Sequence, residues 1–66
     1  MDPKEIFELI IKADERLKYS NEANMDQRKQ QAIGLLQQAR DAAREIGNDV
    51  LVQQSETRLA DLGASA

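Results

Sequence analysis

Three stretches of the chain repeat apolar residues at the three-to-four spacing that lays them along one side of a helix. From Pro3 onward, Ile6, Ile10, Ala13 and Leu17 fall into one narrow stripe, with Leu9 beside it and Lys4, Glu8, Lys12 and Glu15 turned mostly away. Asp2 can cap this helix, Pro3 suits its first position, and Glu5 stands where it can reach back to the capping residue. A first helix is therefore predicted over 3–19. Glu8 with Lys12, and Asp14 with Lys18, are acid-then-base pairs one turn apart on its polar side.

Ser20-Asn21-Glu22-Ala23-Asn24 has the small polar composition of a connection, and Asn24 followed by Gln27 offers a second capping signal. The second helix is predicted over 25–46, with a core stripe of Met25, Ala32, Leu36, Ala39, Ala43 and Ile46 flanked by Leu35 and Ala42. Alanine at three of those positions shortens the spacer between axes, so a neighbouring helix can approach closely. Gly34 falls on the opposite face and reads as a tolerated surface glycine; Gly47 is the residue type favoured just past a helix end. Asn48 or Asp49 can cap a third helix over 49–62, whose face is Leu51, Val52, Leu59 and Leu62 and whose stop is Gly63, leaving 63–66 as a frayed tail. No stretch alternates with period two for long enough to form a strand. The expected fold is all-α: one domain over 1–66, a three-helix antiparallel hairpin or bundle. The same stripes would serve a closed monomer or a dimer.

Composition narrows the chemistry. The 66 residues include no Cys and no His, so the usual zinc, haem and iron–sulfur ligand sets cannot be assembled and the commonest general base is missing. No metal and no cofactor is expected. Each carboxylate maps to a cap, a one-turn pair or an outward face, not to a paired acid and base, and so short a chain leaves little room for a pocket of about 300 Å³. Catalysis is not expected. The net charge is −3 and no segment is basic, which disfavours the phosphate neutralisation that nucleic-acid binding requires. Asp2 and Glu5 stand where a secretory leader would be basic, and apolar runs such as Leu9-Ile10-Ile11 are far too short to cross a bilayer, so a cytoplasmic location is expected. A domain of this size has one small core, and without disulfide or metal the remaining reinforcement is self-association. A homodimer is expected.

Phe7 and Ile11 lie one turn apart, off the centre of the first stripe. They either widen the core face to meet the third helix or stay exposed as a contact patch. Ile33 and Val50 are similarly off-stripe and could join them in a self-complementary surface. Tyr19 reads as a rim tyrosine with a wet hydroxyl. Arg40 and Arg44, one turn apart near a helix C-terminus, either clamp an acidic peptide or phosphate or sit on a solvated face paired with Asp41 and Glu45. The glutamines of the second and third helices give a neutral polar surface.

The stretch from Ala32 to Asp49 resembles the second helix and closing turn of a tetratricopeptide repeat. That family's pattern has a small residue, an aromatic four positions on and another small residue three further; Ala32, Leu36 and Ala39 occupy those places. Gly47-Asn48-Asp49 resembles the turn that hands one repeat to the next, and Leu59-Ala60 can be set on the paired large and small positions that follow. The resemblance implies a scaffold that binds proteins or peptides. The expected function is thus a non-catalytic protein or peptide interaction module using Phe7, Ile11, Ile33, Arg40 and Arg44. The alternative is a small DNA-linked regulator, with the second and third helices as a helix-turn-helix and Arg40, Arg44 and Arg58 near phosphates. Against it stand the acidic total and Asp49 and Glu56 on the would-be recognition helix.

Overall fold

A computed structural model describes residues 1–64. It contains three α-helices, α1 (Pro3–Lys18), α2 (Met25–Glu45) and α3 (Asp49–Asp61), and no strand among the described residues. The fold is all-α, as the periodicity predicts, with each helix ending one residue earlier than expected.

Local chemistry sets each boundary. At the start of α1 the Asp2 carboxylate accepts from the Lys4 backbone N–H at 2.9 Å, and Pro3 occupies the first turn, where no donor is needed. After α1 the Ser20 hydroxyl donates to the Leu17 carbonyl at 2.7 Å. The loop then closes on itself. The Asn21 N–H donates to Asn24 Oδ1 at 2.7 Å and the Asn24 N–H to Asn21 Oδ1 at 3.0 Å. Asn24 therefore starts α2 without a side-chain cap on the helix, because its amide oxygen is spent within the turn. Asn48 caps α3, its Oδ1 accepting from the Leu51 N–H at 3.1 Å.

Both α2 and α3 end in the same device. Gly47 has φ +69° and Gly63 φ +74°, the left-handed conformation that glycine adopts without steric cost. Past each glycine one N–H reaches back five residues, Asn48 to the Ala43 carbonyl and Ala64 to the Leu59 carbonyl, both at 2.9 Å. Gly63 and Ala64 therefore belong to this cap, and Ala64 packs on the core instead of fraying. The rest of the expected tail, 65–66, lies outside the described residues.

The core is formed by Ile6, Ile10 and Ala13 of α1, Ala32, Leu36, Ala39 and Ala43 of α2, and Leu51 and Leu59 of α3. Ser55 is fully buried among them, its hydroxyl donating to the Leu51 carbonyl at 2.9 Å. Met25 and Ile46, expected in the core stripe, are 51% and 39% exposed; Met25 is the first residue of α2 and Ile46 the capping residue just past its end. α1 and α3 pack along α2 and touch one another at few points. The Cα envelope of 37 × 21 × 13 Å reflects this. Three helices closed into a triangle at the usual interaxial distance would show two equal short dimensions of about 13 Å, so the wider 21 Å axis marks a layer with α2 in the middle.

Candidate interaction surface

The layered arrangement decides the position of the two off-stripe residues of α1. With α3 meeting α1 at few points, Phe7 and Ile11 are only partly covered, and they stand 44% and 37% exposed. They line an open hollow of about 380 Å³ along α1, together with Lys4, Glu8, Lys12 and Glu15. The apolar floor belongs to Phe7 and Ile11, the charged edge to the other four. Hollows of this size thus exist despite the length of the chain, but they lie on its surface.

The remaining candidates lie on the other helices. Ile33 is half-buried against the core. Arg40 is largely covered, its side chain 13% exposed, and its Nε contacts Asp41 Oδ1 at 3.0 Å. Arg44 reaches across to α3, where a guanidinium nitrogen lies 2.7 Å from Glu56 Oε1. It does not use Glu45. Arg58, the third arginine of the helix-turn-helix alternative, donates from Nε to both carboxylate oxygens of Asp14, at 3.0 and 3.2 Å, and from a terminal nitrogen to the Gln54 carbonyl at 3.3 Å. All three guanidiniums are engaged by carboxylates of the chain itself. Asp14 is accordingly turned to α3 and not to Lys18, and the expected Glu8–Lys12 pair is likewise not formed.

Two features were not anticipated from sequence. A second hollow, of about 290 Å³, is lined by Lys12, Glu15, Arg16, Tyr19 and Arg28 where α1 hands over to α2. Tyr19 is 66% exposed, the rim position its place at the end of the first helix predicts; the unpredicted contact is the Lys18 ammonium, 5.5 Å from its ring centroid. Arg28 could have been flagged only by knowing that the connection folds back on α1. Among the described residues no cluster of acidic side chains could hold a metal ion, and no helix is long and apolar enough to cross a membrane.

No protein-family model matches the chain, and no curated protein or solved structure is significantly similar to it.

Proposed function

We propose that this chain is a non-catalytic interaction module that binds a protein or peptide helix by burying Phe7 and Ile11. The observation that carries this reading is the exposure of those two residues, one turn apart, over a hollow edged with alternating charges. An apolar centre inside a polar edge is the anatomy of a binding face: the centre supplies energy when water leaves it, and the edge orients the partner. Phe7 is the only phenylalanine of the chain and is bulkier than any residue in its core. Leaving it in solvent sacrifices stability that burial would have given. The tetratricopeptide resemblance supports the same reading by what it implies, a scaffold that binds proteins or peptides; separately, Ala32, Leu36 and Ala39 are fully buried in the packing of α2.

The test uses the double substitution Phe7→Ser/Ile11→Ser and a displayed library of amphipathic helical peptides. The variant is expected to keep the helical circular dichroism of the parent, and peptides selected on the parent are expected to lose their binding to it. A double variant that unfolds, or one that binds the selected peptides as well as the parent, overturns the reading.

A further inference from the structure

The edge of the hollow is more specific than its floor. Lys4, Glu8, Lys12 and Glu15 alternate in sign along α1 and, at 3.6 residues per turn, occupy an arc of about 80° on one flank of the Phe7–Ile11 line. The ion pairs among the described residues are Arg40–Asp41, Arg44–Glu56 and Arg58–Asp14, so none engages these four. They form a charge ladder that nothing within the protomer reads.

We propose that a second copy of the chain reads it: two protomers dock α1 against α1, antiparallel, about a two-fold axis perpendicular to the helices and passing between residues 9 and 10. This rests on the interaction face proposed above and names its occupant. Such an axis reverses the order of residues while keeping each flank opposite its own counterpart. Lys4 then comes level with Glu15 of the second copy, and Glu8 falls within about 1.5 Å of the level of Lys12 of the second copy, from the rise per residue. Phe7 meets Ile11 of the second copy within the same tolerance. Symmetry doubles every pair, so all eight edge charges face an opposite sign and both phenylalanines meet an isoleucine. A two-fold axis parallel to α1 would instead carry the charged edge of the second copy to the opposite side of the contact, so the two ladders would not face one another.

The protomer also has reason to seek this contact. Among the described residues four of the nine buried apolar ones are alanine, so the core supplies little volume. A pair of helices the length of α1 buries less than a standard interface of about 1,600 Å², the size class of weak and transient contacts, so the concentration series has to reach high protein concentrations.

Sedimentation equilibrium over about 10 µM to 1 mM at low salt tests the arrangement. Three samples are compared: the parent, Lys4→Glu/Lys12→Glu with an all-acidic edge, and Glu8→Lys/Glu15→Lys with an all-basic one. All four positions are exposed, and circular dichroism confirms that each variant stays helical. The parent should rise with concentration from 7.4 kDa toward twice that mass. Each variant alone should associate at least about tenfold more weakly, and an equimolar mixture should recover the parent's behaviour, because opposite edges then meet. A parent that stays at 7.4 kDa overturns the second copy as occupant, while the interaction face continues to stand or fall on Phe7→Ser/Ile11→Ser. A parent that associates while either variant does so equally well, or a mixture that fails to recover, overturns the antiparallel pairing.

Discussion

Asp14 and Arg58 are 44 residues apart in sequence and form the charged link between α1 and α3, with the Arg58 Nε 3.0 Å from Asp14 Oδ1. Both side chains are partly exposed, so water and salt screen the attraction. A double-mutant cycle with Asp14→Asn and Arg58→Met, the latter keeping an apolar stem, should give a coupling energy of about 0.5–1 kcal/mol by urea denaturation. The coupling should shrink as salt is raised. A value indistinguishable from zero at low salt would show that the two helices hold their places without it.

The glycines of α2 and its cap make opposite predictions. A Cβ built on Gly34 meets no atom within 4 Å, and the residue lies mid-helix with ordinary backbone. Gly34→Ala should therefore stabilise by about 0.5–1 kcal/mol, since alanine loses less freedom on folding. At Gly47 the space is equally open but φ is +69°, so alanine there should cost about 1 kcal/mol. In a domain of this size each change moves the melting temperature by roughly 4–8 °C per kcal/mol. Thermal melts with shifts of the same sign would refute the contrast.

Ser55 sits at zero exposure with its hydroxyl bonded inside its own helix. Removing that hydroxyl strands no partner across the core, because the Leu51 carbonyl keeps its place in the backbone ladder. Ser55→Ala should change stability by less than about 1 kcal/mol, whereas Ser55→Leu should cost about 1–3 kcal/mol by forcing the close-packed helices apart. Equal losses in urea denaturation would mean that the hydroxyl itself matters.

Leu36 and Phe7 separate core from surface. Leu36→Ala should cost about 3 kcal/mol or more, a large part of the total stability of so small a domain. Phe7→Ala removes a larger side chain but should cost only about 1 kcal/mol, because much of the ring is already in water. The comparison is made at protein concentrations low enough to keep the chain monomeric.

Much of this architecture is legible in the sequence because it is local. The stripes of Ile6, Ile10 and Ala13 and of Ala32, Leu36, Ala39 and Ala43 follow from spacing alone, and so do the cap at Asp2 and the turn at Gly47; at the start of α3 the sequence offers Asn48 or Asp49, and the structure uses Asn48. What depends on tertiary placement is not legible. Ser55 has the spacing of the core stripe, one turn from both Leu51 and Leu59, but it is polar by type, and only the close approach of α3 to the rest of the core, with its hydroxyl satisfied inside its own helix, shows it buried. The partners of Asp14 and Arg44 lie on α3, and nothing near them in sequence signals that choice. Phe7 and Ile11 show the limit most plainly. Their spacing suits a helix wrapped by two neighbours as well as one wrapped by a single neighbour, and only the sparse contact of α1 with α3 decides between these.

That sparse contact also governs how the molecule comes apart. With α2 as the shared spine, α1 can lift away while the α2–α3 hairpin keeps its packing, and α3 can do so while α1 stays docked. Amide protons of the two outer helices should then exchange through two separate partial openings, and those around Leu36 and Ala39 only when both flanks have left, an outcome that residue-resolved hydrogen exchange checks. Anything that clamps α1 from outside slows one of these openings and leaves the other untouched, so the pattern of protection along the chain carries a direct signature of which face has been engaged.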